Sequence, residues 1–548
     1  MAGLLNPPPK SDQHRPMAVG VNGMVASAEP LAASAGLQVL MEGGNAFDAA
    51  ITAAFVEDVT LPAMTSLGGD LFALLYDAKT KEIHSIIGSG GAPARASIDW
   101  FMEKGLTSLP ADGILSCSVP GEVHALYSIH QRFCSMPLER LLQPAITYAE
   151  HGVPVNERLH WRIANSEKKL RRNVAASAIF LPDGRPPRVG SLLYQKDLAK
   201  TLRRLAVHGL LDFYQGAVAE QIGRHISEAG GHLTREDLER HETEFASPIS
   251  TTYRGWTIYE TPPPSQGLTV LESLNILSGY DLAGWGLDSP DLIHHMVETK
   301  KIAYSDRLRY CGDPRFVTMD ANQLISQEHA ERQRKNIHPD RVMEHRRGIV
   351  EYIDGDTTYL AVVDRDGNCV SLIHSLSGVE FGSGVVAGNT GIVLNSRLGR
   401  GFSIDPNSPN ALLPGKRTMH TLNTYLIFSG DQPCYVGGTP GGDQQPQWNL
   451  QVIVNLLDFN LNVQEAAEHP RWFSFPGTDE IHLDQPFVLR MEKRFRDELY
   501  RALEAKGHRV QVIGPWGGGG VQLIQIDRHH GTYLGGSDPR IGGVALGY

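Results

Sequence analysis

Asp356-Thr357-Thr358 places an acid ahead of two hydroxyl residues. A threonine hydroxyl is a weak nucleophile until a base takes its proton. Read alone, Thr-Thr before the apolar run Tyr359 to Val363 is ordinary β-propensity. The other chemistry-bearing patterns exclude more than they offer. There is no HExxH, His294-His295 are adjacent residues that cannot share a helix face, and His420 stands alone, so no metal site is expected. No GxSxG elbow is present, which argues against that kind of serine hydrolase. Gly437-Gly438-Thr439-Pro440-Gly441-Gly442 and the stretch 517–520 match neither GxxxxGK[ST] nor a GxGxxG between strand and helix. They read instead as bent loops whose backbone N–H groups can hold an oxyanion.

The elements around these residues are mixed. Leu31 to Met41 and Ala46 to Val59 carry small and apolar residues at helical spacing, and Asn45 is placed to cap the second. Leu71 to Tyr76 reads as a strand after Ser66-Leu67-Gly68-Gly69-Asp70. Charge patterning over 138–238 favours helices. Thr261-Pro262-Pro263-Pro264-Ser265-Gln266-Gly267 is a rigid turn before a helix at Leu268 to Ser278, and Ser289 to Arg309 is a further helix. Tyr359 to Val363 and Cys369 to His374 flank Asp364-Arg365-Asp366-Gly367-Asn368, so Thr357 opens a hairpin. Strands are also expected at Tyr425 to Phe428 and Val521 to Ile526. A helix-rich first two thirds and a strand-rich last third imply mixed α and β layers, not a regular βαβ array.

Bulk properties narrow the class. With 548 residues, 41% hydrophobic and 20% charged, the chain is globular and larger than one ordinary compact unit. A net charge of −11 argues against a nucleic-acid partner, yet a small anionic substrate needs only local positive charge. Cys117, Cys134, Cys311, Cys369 and Cys434 form no CxxC pair and read as thiols in a reducing compartment. The first residues have no signal-peptide pattern, and no apolar run approaches the ~20 residues that span a membrane. A cytoplasmic protein with no membrane partner is expected.

Beyond these local patterns, a long series of motifs runs in order along the chain. It includes Gly44-Asn45-Ala46-Phe47-Asp48-Ala49-Ala50, Leu67-Gly68-Gly69, Val119-Pro120-Gly121, Pro262-Pro263-Pro264-Ser265 and Tyr304-Ser305-Asp306-Arg307. It continues through Thr357-Thr358-Tyr359-Leu360-Ala361-Val362-Val363-Asp364, Phe381-Gly382-Ser383-Gly384, Gly391-Ile392-Val393-Leu394-Asn395, Pro414-Gly415-Lys416-Arg417 and Pro440-Gly441-Gly442. The series resembles the γ-glutamyltranspeptidase family of N-terminal nucleophile hydrolases over nearly the whole chain.

The resemblance implies an α+β fold, a four-layer αββα sandwich. It implies self-cleavage between Asp356 and Thr357 into a large subunit, 1–356, and a small subunit, 357–548, that share one intertwined fold. No cofactor is implied, and a higher oligomer is left open. Thr357 then carries both the nucleophilic hydroxyl and a free α-amine, whose ordinary pKa of about 7.7–8.0 suits it to act as general base. Gly441 and Gly442 match the oxyanion donors. Ser375 matches a threonine that hydrogen-bonds near the nucleophile.

The departures concern the substrate. An arginine of the family is absent from the segment Gly88-Ser89-Gly90-Gly91-Ala92-Pro93, and two serines become His420 and Thr421. An asparagine aligns with Ser377, a glutamine with Arg397, and an acidic pair falls near Arg400. These changes replace acceptors for an ammonium with positive charge, unless the arginines are solvated surface residues. The expected activity is that of an acyl-enzyme amide hydrolase or acyl transferase acting on a small amide whose acyl end is anionic. A true γ-glutamyl transferase with another clamp and an inactive, uncut binding protein are the alternatives.

Overall fold

The helix Ala46–Thr60 starts where its cap dictates: Asn45 accepts from the Phe47 and Asp48 N–H groups, while the Asp48 carboxylate accepts from the Asn45 N–H at 2.9 Å. Every residue of this helix is buried, which explains its all-round apolar and small-residue text. It packs on the helix Pro30–Met41, where Gly36 allows close approach to the Ala49 carbonyl. The computed structural model describes residues 13–343, 357–475 and 487–548; Asp356 lies outside them.

The hairpin expected after Thr357 is present. Strand Thr358–Asp364 pairs antiparallel with Cys369–Ser375. Asp364 closes the turn by accepting the Asp366 and Asn368 N–H groups at 3.0 Å each, and its other oxygen accepts the Ala46 N–H at 2.8 Å. The hairpin is thereby fixed to the helix behind it.

Two seven-stranded antiparallel sheets form the centre. The first has the order Val544–Gly547, Gly23–Ser27, Thr358–Asp364, Cys369–Ser375, Asp70–Asp77, Glu82–Gly88, Glu244–Ala246. The second has Ala18–Gly20, Thr532–Ser537, Gln522–Asp527, Gln432–Gly438, Tyr425–Ser429, Trp256–Glu260, Ile249–Tyr253. Alternation along Thr358–Asp364 sorts the layers. Tyr359, Ala361 and Val363 meet Leu426, Val436 and Ile524 of the second sheet. Leu360 and Val362 face a core shared with the helices Ala46–Thr60 and Leu138–His151. The outer face of the second sheet, with Ile258, Tyr425 and Leu523, packs on Gly267–Leu277, Pro290–Tyr310 and Gln445–Leu457. The result is the αββα sandwich.

The helices lie mostly ahead of Thr357 and strands dominate after it, as expected, but each sheet combines strands from both sides of Thr357, and the last third also holds the helices Gln445–Leu457, Val463–Glu468 and Asp497–Ala505. Gly23–Ser27 escaped the strand pattern because GMVAS has one β-branched residue and is buried on both faces. Glu244–Ala246 is a three-residue edge strand, too short to alternate visibly.

Candidate active site

Thr357 stands at the head of a central strand, 1% exposed. Its hydroxyl donates to Ser375 Oγ at 3.3 Å. The pairing of Thr358 with His374 puts Ser375 beside Thr357, and the Ser377 N–H donates to the same Ser375 oxygen at 2.9 Å. Ser377 holds a left-handed φ of 61°, a strained setting for a residue with a side chain. Its loop is pinned by the Leu376 N–H on the Met64 carbonyl at 3.0 Å and the Phe381 N–H on the Ala63 carbonyl at 2.8 Å. Ser377 Oγ is buried with no hydrogen-bond partner among the described residues, so it can serve a ligand.

The glycine loop needs its glycines. Gly441 has φ 131°, and a Cβ there would come within 2.2 Å of the Trp448 ring. The loop is held from behind. Arg307 pairs with Asp443 at 2.8 Å, Tyr304 Oη donates to the Asp443 carbonyl, and Gln266 Nε2 donates to the Gly442 carbonyl at 3.2 Å. Arg307 also donates to Gln266 Oε1. Thus the motifs Tyr304-Ser305-Asp306-Arg307 and Pro264-Ser265-Gln266 act together on one loop. The second glycine stretch adjoins it: the Gly520 N–H donates to Thr439 Oγ1 at 3.0 Å.

Arg397 is a buried residue, 2% exposed, with Nε 3.4 Å from Asp70 Oδ2. That excludes the solvated-surface reading. His420 Nε2 lies 3.3 Å from the same oxygen, and its ring stacks at a tilt on Phe72. Burial, then the Arg397 charge, lower the His420 pKa to about 4, so its ring is neutral near pH 7. Burial raises the Asp70 carboxyl, but His420, Arg397 and the Gly90 N–H outweigh it and hold it below the ordinary range. Asp70 also sits opposite Ser375 in the sheet. It therefore links the strand that ends at Ser375 to Arg397 and His420. Ser89 is buried beside this group, its hydroxyl without a partner among the described residues. Thr421 contributes its carbonyl to Gln266 and to Asn423 Nδ2. Arg400 is half-buried in the turn after Arg397, its N–H on the Arg397 carbonyl at 3.3 Å.

Sequence reasoning missed Asp70, Asp443 and the back of the site. An acid opening an otherwise apolar strand was the available signal for Asp70. Behind Ser375, His374 is fully buried between Glu122 at 2.6 Å and Glu57 at 2.7 Å, with Asp58 at 3.8 Å and the Thr65 hydroxyl at 3.0 Å. Burial opposes the imidazolium, yet Glu122 and Glu57 hold the His374 pKa well above its ordinary value. Burial first, then the neighbouring carboxylate, raises Asp58 well above the carboxylate range. Asp58, Glu122 and His374 are one of three groups among the described residues spaced to hold a cation; Glu272, Asp306 and His329 are another. In the third, Glu298 is already engaged by Lys301 and the Met343 N–H.

A cavity of about 870 Å3 opens beside the loop, lined in part by Met64, Val379, Glu380, Pro440, Gly441 and Trp448. No described helix is long and apolar enough to cross a membrane.

Comparison with known proteins agrees with this geometry. A family model described as gamma-glutamyltranspeptidase matches residues 32–548. The chain is 36% identical to the glutathione hydrolase-like YwrD proenzyme of Bacillus subtilis, covering 96% of this chain and 99% of that one. It is 33% identical to the oxamate amidohydrolase proenzyme of Klebsiella pneumoniae, covering 97% and 99%. The crystal structure of a cephalosporin acylase from Bacillus halodurans superposes with a TM-score of 0.90 at 36% identity, covering 100% and 99%. The chain belongs to the γ-glutamyltranspeptidase family and is a self-processing amide hydrolase or acyl transferase of the N-terminal nucleophile type.

Proposed function

We propose that the chain cuts itself between Asp356 and Thr357 and that Thr357 then attacks a small amide with an anionic acyl end. The placement of Thr357 carries the reading: it heads a central strand with its hydroxyl on Ser375 Oγ at 3.3 Å. The hydroxyl first attacks the preceding carbonyl, and water opens the resulting ester. That frees the α-amine, which takes the hydroxyl proton during catalysis. Attack on the substrate carbonyl forms an oxyanion, for which the N–H groups of Gly441 and Gly442 are the donors. Collapse expels the amine, which leaves with a proton, and water or a second amine takes the acyl group from Thr357. Ser375 orients the hydroxyl; Ser377, Arg397, Arg400, His420 and Thr421 are the acyl-side residues.

One observation favours a second reading. Asp70 neutralises Arg397 from 3.4 Å and sets a buried carboxylate near the site, so an α-ammonium is less disfavoured than Arg397 alone would make it. A γ-glutamyl group is then the competing acyl donor.

Gel electrophoresis with N-terminal sequencing tests the cut. The smaller fragment should begin Thr-Thr-Tyr-Leu, and Thr357→Ala should stay one chain. A Thr357→Ala protein cut at the same bond would overturn the mechanism. Comparing γ-glutamyl, glutaryl and oxamate substrates on the cut protein separates the two acyl readings.

A further inference from the structure

We propose that the cavity beside Gly441 binds the amine half of the substrate, and that this half is a carboxylate-bearing amine with a flat apolar body. The proposal rests on the assignment of Thr357 and the Gly441-Gly442 loop above. It adds the chemistry of the group that leaves, or arrives as acceptor.

Position comes first. The cavity is bounded by Pro440-Gly441 on one wall and by Met64, Val379 and Glu380 on another. Met64 accepts the Leu376 N–H, so this second wall is continuous with the Ser375–Ser377 turn beside the nucleophile. None of Asp70, Ser89, Arg397 and His420 lines the cavity. The acyl-side group and the cavity are therefore separate surfaces that share the nucleophile turn and the glycine loop. An amide cleaved at Thr357 has two halves, and this cavity is left for the amine.

Charge comes second. Among the described residues, Arg162, Lys168, Lys169 and Arg172 line the cavity, against one carboxylate, that of Glu380. Arg162 lies 3.4 Å from Glu380, and Lys169 spans the Glu380 and Gly382 carbonyls at 2.8 and 3.2 Å; these two build the far wall. Arg172 pairs with Asp112 at 2.7 Å from the rim, and Lys168 is exposed there. Among the described residues, counting Asp112 as well as Glu380, two positive charges remain in excess. A concave wall of one sign concentrates the opposite charge.

Shape comes third. Trp161 is 57% exposed on the helix Glu157–Asn165, on the cavity wall, and Trp448 lines the cavity behind Gly441. An exposed indole beside cations offers a face to a planar group while the cations hold its carboxylate.

Binding to the purified full chain tests this without requiring turnover. Titration calorimetry should show 3-aminobenzoate binding about tenfold more tightly than aniline, the scale of one charge-assisted contact. The double variant Lys168→Glu with Arg172→Glu should erase that preference while retaining aniline affinity, and Trp161→Ala should weaken both amines alike. No binding of 3-aminobenzoate, equal binding of the two amines, or a preference kept in the double variant would overturn the proposal. None of these outcomes bears on the cut before Thr357, whose failure sequencing would report separately.

Discussion

Asp70 stands opposite Ser375 in the first sheet and turns its carboxylate away to Arg397 and His420. A residue across the sheet from Ser375 thus sets the electrostatics of the neighbouring side chains. Asp70 and Arg397 are both buried, so their attraction is little screened by solvent.

Asp70→Asn leaves the Arg397 guanidinium buried beside a neutral amide. Removing one partner of a buried pair costs about 3–5 kcal/mol. The variant should melt at a clearly lower temperature than the parent, and adding Arg397→Gln should restore part of the loss. An unchanged melting temperature for Asp70→Asn would remove Asp70 from this role.

Arg397→Gln restores the residue type expected of a glutamyl enzyme. If Arg397 holds the anionic end of the acyl group, a charged hydrogen bond of about 1.5–3 kcal/mol is lost. kcat/KM should then fall by roughly one to two orders of magnitude on substrates with the second carboxylate, and little on neutral acyl amides. Equal losses on both would point to damaged packing.

Arg307→Lys keeps the charge but loses the fork that reaches both Asp443 and Gln266. The glycine loop should loosen. Losing an oxyanion donor costs about 100- to 1000-fold in kcat, so a misaligned one should cost about tenfold or more with KM nearly unchanged. A rise in KM at constant kcat would place Arg307 in substrate binding instead.

The His374 cluster makes stability depend on pH. His374, Asp58 and Glu122 all have raised pKa values in the folded chain, so the folded state binds more protons than the unfolded one. Their contribution is fully present below the unfolded carboxylate values and is lost as pH rises through the folded ones. Asp58→Asn removes one such group with little change in shape. Its melting temperature should fall less steeply than the parent's as pH rises from 5 to 9. Parallel curves would show that Asp58 takes no extra proton on folding.

Local chemistry made much of this fold legible. The Asn45 cap, the Asp364–Asn368 turn and the Ser289 start of Pro290–Tyr310 are each set by residues a few positions apart. Thr357 at a strand start and the bend at Gly441-Gly442 were legible because each rests on contiguous residues. The Asp70–Arg397 pair was not, because 327 positions separate its partners and only the sheet brings them together. His374 and Glu122 were hidden for the same reason, with 252 positions between them. Arg397 read as either a ligand-facing or a surface residue, since burial is a tertiary property that one arginine in a loop does not announce.

The strand order has a consequence for how the protein is made. Gly23–Ser27 is flanked by Val544–Gly547 and Thr358–Asp364, so a piece ending at residue 356 would lack both neighbours of one of its strands. Neither piece owns a complete sheet, and each alone would present open edges prone to adventitious pairing. A cut before Thr357 would therefore have to follow assembly, with the uncut chain acting as its own template. Once nicked and denatured, the protein has exchanged a tethered search for a second-order encounter. Its recovery should slow on dilution, whereas that of the uncut chain should not.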